Sequence, residues 1–150
     1  MFLMALVLAF ATKPAASDQA AIFTAAGFHR QGDHWQSECD DPGTPSYEPG
    51  KIEQYADLNG DGRPEAIVTE GGTYCYGNTG TGFTLLTRSG AGKWSKLYQS
   101  QGVATVLKTR ANGWPEIEVG GPGFCFPVLR WSGKAFAIQR HAYEGKACKP

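Results

Sequence analysis

Two stretches of this chain are versions of one another, and any fold it adopts must build both from the same parts. Gly62-Arg63-Pro64-Glu65, a β-rich run, Gly71-Gly72 and Tyr74-Cys75-Tyr76 align with Gly113-Trp114-Pro115-Glu116, a second such run, Gly120-Gly121 and Phe124-Cys125-Phe126. The match continues through Leu86-Thr87-Arg88-Ser89-Gly90 against Leu129-Arg130-Trp131-Ser132-Gly133, each followed by a lysine, Lys93 or Lys134. A period of about fifty residues suits one propeller blade or one small sheet of three to four strands. Hairpins are predicted for residues 83–88 with 94–99 and for 127–131 with 135–140, the latter with Phe136 and Ile138 on a buried face. Residues 101–110 join the copies, and their pattern leaves strand or short helix open. With 150 residues, 20 of them glycine, the chain suits one turn-rich β domain. That domain is expected over residues 18–150, with repeats near 55–102 and 103–142, and a short helix over 19–26 ahead of them, capped by Asp18 and stopped by Gly27.

The first copy is preceded by Asp57-Leu58-Asn59-Gly60-Asp61-Gly62-Arg63-Pro64-Glu65. Asp57, Asn59 and Asp61 alternate along a loop whose sharpest bend falls at Gly62, so their side-chain oxygens can converge. A hard cation such as calcium takes six to eight oxygens at about 2.3–2.6 Å. Here three come from side chains, one from the Arg63 carbonyl, and Glu65 is placed to close the set. An EF-hand requires a bidentate glutamate at the twelfth loop position, which is Val68, and a helix after the loop rather than a β-like run. The loop is therefore read as strand-flanked. The competing reading is a plain turn, because Asn-Gly and Asp-Gly are strong hairpin signals.

In its strand-flanked form the loop resembles the calcium loops of FG-GAP and VCBS-type β-propeller repeats, an acidic D-x-[DN]-x-D-G-x-x-[DE] segment entering a strand. The resemblance spans roughly residues 55–126 and is specific at the acidic loop. It implies one cofactor, calcium, at one site, since counting back from Gly113 places Lys108, Arg110 and Asn112 at the positions of Asp57, Asn59 and Asp61. A full propeller needs several blades and this chain has room for about two. The expected fold is mainly β: two tandem propeller-blade-like antiparallel repeats with a short N-terminal helix, stabilised by disulfides.

Residues 2–10 form an apolar run too short to span a bilayer, followed by mostly small residues to Ser17. This reads as a signal peptide over residues 1–17 with cleavage near Ala16 or Ser17, and so as export to the periplasm or the cell exterior with no transmembrane segment in the mature chain. Cys39, Cys75, Cys125 and Cys148 fit that compartment as disulfides, and their spacing excludes a C-x-x-C pair. Three connectivities are open. The repeat favours Cys39 with Cys75 and Cys125 with Cys148, so that each copy keeps its own bridge.

A formal net charge of zero, with lysines and arginines scattered singly, argues against a nucleic-acid partner. No G-x-S-x-G elbow or phosphate loop occurs, and His29 and His34 are spaced for neither one helix face nor one strand face. Asp40, Asp41, Glu116 and Glu118 read as solvated acids. Tyr74, Tyr76, Trp114, Phe124, Phe126 and Trp131 offer an aromatic patch for a protein or glycan partner if they face outward, against the plainer role of core packing. The expected function is a secreted or periplasmic calcium-binding β module that binds another molecule and carries no catalytic centre. The alternatives are an inhibitor of a secreted hydrolase, inserting residues 77–82 into its partner, and a hydrolase whose metal activates water.

Overall fold

The computed structural model describes residues 13–150. Residues 2–10, which carry the expected export signal, lie outside them, and the expected cleavage position falls in the first turn of helix α1 (Ala16–Ala25). That helix starts earlier than predicted, with Ala15 at its N-cap and Asp18 inside its first turn, where the carboxylate pairs with Arg88 at 3.6 Å. It stops before Gly27, whose φ of +88° is one that glycine adopts without a Cβ penalty. The chain then forms a hairpin of β1 (Phe28–Gln31) and β2 (His34–Ser37).

Strands β3 (Glu48–Ala56), β4 (Glu65–Gly71), β5 (Thr81–Arg88) and β6 (Trp94–Gln101) form one antiparallel sheet in chain order. Strands β7 (Val103–Ala111), β8 (Trp114–Gly120), β9 (Phe126–Trp131), β10 (Phe136–Tyr143) and the short β11 (Lys146–Ala147) form the second in the same manner. The chain is thus mainly β, with a short N-terminal helix and two tandem antiparallel sheets. Residues 103–110 are strand, within β7, and Gly102 is the bend that separates β6 from β7. Tyr74, Cys75 and Tyr76 lie in the helical turn α2 (Thr73–Tyr76), where Gly72 at φ +135° swings the chain out of β4.

The two sheets stack in the same orientation. On the first, Ala66, Val68, Leu86 and Trp94 pack against Ile22, Phe23, Ala26 and Phe28 of the helix and hairpin. Their aligned counterparts on the second, Ile117, Val119, Leu129 and Phe136, pack against Ile67, Phe83 and Leu85 on the back of the first sheet and Leu58 of the β3–β4 connection. The same face of each repeat therefore points toward the N-terminal layer. Helix α1 covers it in the first sheet, and the first sheet covers it in the second. The back of the second sheet carries Glu116, Glu118 and Arg130, with Val128 beneath them. This is how a terminal repeat ends in water, with polar groups where an inner repeat is apolar.

Both disulfides join the cysteines that the repeat favoured: Cys39 to Cys75 and Cys125 to Cys148, with Cα separations of 6.0 and 5.8 Å. The first ties the end of the β1–β2 hairpin to α2. The second ties the entry of β9 to the chain end beyond β11. No free cysteine occurs among the described residues.

Candidate functional site

Ala56 pairs with Glu65, so residues 57–64 form the whole connection from β3 to β4. The second sheet makes the same connection with Asn112 and Gly113 alone, between paired Ala111 and Trp114, with φ of +53° and +84°. Two consecutive positive φ values are the requirement of a tight I′-type hairpin turn, and Asn-Gly meets it. The second copy therefore lacks a loop at all. Lys108 and Arg110 do not occupy ligand-equivalent positions, as counting back without a gap suggested, but lie within strand β7.

The acidic loop is built from its own side chains. Asp57 accepts the Gly60 N–H through Oδ1 and the Gly62 N–H through Oδ2, each at 2.8 Å. Asn59 Oδ1 accepts the Asp61 N–H at 3.0 Å, and Asp61 Oδ1 accepts the Arg63 N–H at 2.8 Å. Such side-chain-to-backbone bonds replace the ladder that the loop has left. They also turn the oxygens of Asp57, Asn59 and Asp61 toward the loop's own backbone, each with capacity for a further contact. Arg63 reaches back to pair with Asp61 Oδ2 at 2.9 Å and donates from Nε to the Arg88 carbonyl.

Glu65, expected to close a cation shell, lies under the loop instead. Its Oε2 accepts the N–H groups of Leu58 and Asn59 at 2.7 and 3.3 Å, and its Oε1 accepts the Thr87 hydroxyl at 3.1 Å. Fully buried, its carboxyl is raised above the ordinary glutamate range by desolvation, against the lowering effect of those donors. From the second sheet, Arg110 donates to the carbonyls of Leu58 and Gly113 at 2.9 and 2.8 Å, linking the long loop to the short turn. Among the described residues no three His, Cys, Asp or Glu side chains form a ready metal cluster. The donors gathered in the loop are the side-chain oxygens of Asp57, Asn59 and Asp61, with the Arg63 carbonyl following them in sequence, a hard, all-oxygen set that suits calcium chemically.

The aromatic candidates do not come together as one patch. Trp114 is buried, and with Trp131 and Phe136 it forms a core cluster with ring centroids 5.2–5.5 Å apart. Tyr76 points inward. Only Tyr74 and Phe124 are largely exposed, at 60% and 76%, with Phe124 edge-on to Tyr143. Ile138, predicted to share the buried face with Phe136, is 56% exposed, because β10 extends past the area that the first sheet covers. Residues 77–80 are a tight turn leading into β5, where Gly82 lies against the Tyr76 ring, which a Cβ there would strike.

One carboxylate centre went unread in the sequence. Glu70, 2% exposed, accepts four donors: the Ser37 N–H and hydroxyl and the hydroxyls of Tyr47 and Tyr76. Burial and the adjacent Glu70 raise both tyrosine pKa values well above their ordinary range. Four donors use the lone-pair sites of a carboxylate, so Glu70 is an anchor joining the hairpin, β4 and α2. A lone glutamate inside the run 66–71 was its available signal. Asp41 is likewise held, by the N–H groups of Gly43 and Thr44 and the Thr44 hydroxyl. His29 and His34 pair separately, with Asp40 and Asp33. Glu116, at the aligned position of Glu65, is bonded by Arg130 at 3.1 Å and Arg140 at 2.6 Å. Desolvation opposes ionisation there, but Arg140, Thr109 and Arg130 hold its carboxyl below the ordinary range.

Two surface cavities of about 450 Å³ lie away from the acidic loop, one between Phe23, Arg30, Trp35 and Lys51, the other between His34, Gln36, Asp41 and Tyr47. No helix among the described residues is long and apolar enough to cross a membrane. Comparison with protein-family models, with curated proteins and with solved structures returned no match, so the resemblance to FG-GAP and VCBS-type repeats rests on the chain's own residues.

Proposed function

We propose that this chain is an exported calcium-binding β module whose role is to bind a protein or a glycan, with residues 57–63 as its cation site. The observation that carries this reading is the contrast between two equivalent connections. Asn112 and Gly113 close the second hairpin alone, whereas the first uses a loop with oxygens at every other position from 57 to 61. A turn does not need that excess. Asp57, Asn59, Asp61 and the Arg63 carbonyl would hold the ion, while Glu65 and Arg110 brace the loop from beneath and beside. The Asp61–Arg63 pair would open, at a cost of about 0–1 kcal/mol for so exposed a contact. Export is supported by the two disulfides, which persist in oxidising compartments, and by the apolar run 2–10.

The test is thermal melting of the mature protein in calcium, magnesium and EDTA, with Asp57→Asn and Asp61→Asn beside the parent. Each variant removes one charge; Asp61→Asn keeps an oxygen for its single backbone donor, and Asp57→Asn keeps one for either the Gly60 or the Gly62 N–H. A dissociation constant of about 10⁻⁴ to 10⁻³ M is expected. Calcium at a hundredfold excess then adds about 2.7 kcal/mol of stability, and both variants lose most of that gain. Magnesium, which demands tight octahedral geometry, does less. Identical melts in calcium and EDTA overturn the reading. Capture from culture or periplasmic extract, with and without EDTA, then identifies the partner and its metal dependence.

A further inference from the structure

We propose that Asn59 is a self-modifying residue: its amide is lost by attack of the Gly60 backbone nitrogen, and the fold promotes this at Asn59 while suppressing it at the other Asn-Gly pair, Asn112-Gly113. Any Asn-Gly sequence can undergo this reaction, because glycine presents no Cβ to hinder the approach of its nitrogen. Gly60 is exposed, at φ +78°, and a Cβ placed on it would meet nothing within 4 Å. What distinguishes the site is the position of its neighbours.

The Gly60 N–H donates to Asp57 Oδ1 at 2.8 Å, so the attacking nitrogen already has a carboxylate on its proton. Asn59 Oδ1 accepts the Asp61 N–H at 3.0 Å, so the oxygen on which charge develops already has a donor. These are a general base and an oxyanion donor for one addition. The Gly60 nitrogen bonds to Asn59 Cγ as Asp57 takes its proton. The Cγ–Nδ2 bond then breaks, and the amide leaves as ammonia with that proton returned to it, giving a five-membered succinimide. Water opens the ring. Cleavage at the Cγ–N bond gives aspartate, and cleavage at the main-chain carbonyl gives isoaspartate, which lengthens the loop backbone by one carbon.

Asn112 is held otherwise. Its Nδ2 donates to the Trp131 carbonyl at 2.7 Å, which fixes the side chain on the neighbouring hairpin. The tight turn at φ +53° and +84° is gripped by the β7–β8 ladder, and no carboxylate is bonded to the Gly113 N–H among the described residues. Modification of Asn59 to aspartate places a third carboxylate beside Asp57 and Asp61. The proposal does not depend on bound calcium, and its test is run without any.

The folded protein is incubated in EDTA at pH 7.4 and 37 °C, conditions chosen for slow native-state chemistry, and both asparagines are followed by peptide mass mapping with isoaspartate detection. Asn59 is expected to lose its amide about tenfold faster than Asn112, less than the roughly hundredfold at which the contribution of a positioned acid or base usually begins, because a carboxylate is a weak base toward an amide N–H. In denaturant with reductant the two rates converge. Asp57→Asn removes the base and leaves one oxygen to be shared by the Gly60 and Gly62 N–H groups, and it slows the reaction at Asn59 severalfold while leaving Asn112 unchanged. Equal rates in the folded protein, or an Asp57→Asn variant that modifies Asn59 as fast as the parent, overturns the proposal.

Discussion

Replacing Glu65 by alanine and by glutamine separates two contributions of one buried carboxylate. Glu65→Ala removes the acceptor for the N–H groups of Leu58 and Asn59 and for the Thr87 hydroxyl. Asn59 lies at the edge of water and Thr87 can turn its hydroxyl, so the cost is concentrated at the Leu58 N–H, about 1–3 kcal/mol for a buried unpaired donor. With the space left at a fully buried position, the expected total is about 2–4 kcal/mol. Glu65→Gln keeps an oxygen for the two N–H groups and presents an amide to Thr87, whose oxygen can accept, so its cost at pH 7 is expected to stay under about 1 kcal/mol. Burial raises the folded carboxyl above its ordinary 4.5, so the folded state holds this proton more tightly than the unfolded chain does. The stability contributed by Glu65 is then fully present below pH 4.5 and is lost as pH rises through the folded pKa. Glutamine has no such term, so Glu65→Gln gains on the parent as pH rises. Urea unfolding followed by the fluorescence of buried Trp94 and Trp114, disulfides intact, measures each difference as a function of pH from about 4 upward. A Gln variant as unstable as the Ala variant, or a parent-to-Gln difference that is flat with pH, refutes the account of Glu65 as a desolvated brace.

Glu116 gives the opposite sign. Its carboxyl is held low, so its contribution is present above its ordinary 4.5 and lost as pH falls through the folded pKa; Glu116→Gln should cost about 1 kcal/mol at neutral pH, a modest figure because both arginines are more than a third exposed, and nothing in strong acid, by the same urea assay. Arg110→Ala frees the Leu58 and Gly113 carbonyls and should raise hydrogen exchange in a peptide covering residues 57–64 while leaving the β8–β9 peptides unchanged; equal exchange in parent and variant would count against the bridge between loop and turn. Each disulfide, removed as a pair of alanines, should cost about 2–4 kcal/mol. The loop of 36 residues closed by Cys39–Cys75 should cost about 0.4 kcal/mol more than the 23 of Cys125–Cys148 in the chain-entropy description, read as a difference in urea midpoints at constant slope.

The parts of the fold legible in the sequence were those fixed by local chemistry repeated twice. Gly-x-Pro-Glu before a β run, and aromatic-Cys-aromatic after Gly-Gly, located β4 and β8 and favoured the disulfide pairing that the structure contains. The hairpin β1–β2 was hidden because its strands are four residues long and mostly polar, with Phe28 and Gln36 their buried members, so no apolar alternation marks them. At the acidic loop, alternation identified the inward oxygens of Asp57, Asn59 and Asp61. It could not show that Glu65 faces the second sheet, because that depends on how the sheets stack.

The stacking was itself encoded, in a contrast between the copies rather than in either alone. Residues 65–68 read Glu-Ala-Ile-Val, and Ala66, Ile67 and Val68 are all buried because β4 has a layer on each side, which abolishes apolar alternation. The aligned residues 116–119 read Glu-Ile-Glu-Val, which alternates as a strand with one wet face must. Exchanging Ile67 for Glu118 at one aligned position therefore states which repeat is inner and which terminal. The first glutamate of each run makes the same point through its partners: Thr87 suffices for Glu65 between two sheets, where backbone N–H groups complete its shell, whereas Glu116, on the face that no sheet covers, is itself buried beneath Arg130 and Arg140, which neutralise it. The enlarged loop follows from the same order. Arg110 of the second sheet holds the Leu58 carbonyl, so a loop of this length gains a brace from the sheet stacked beside it.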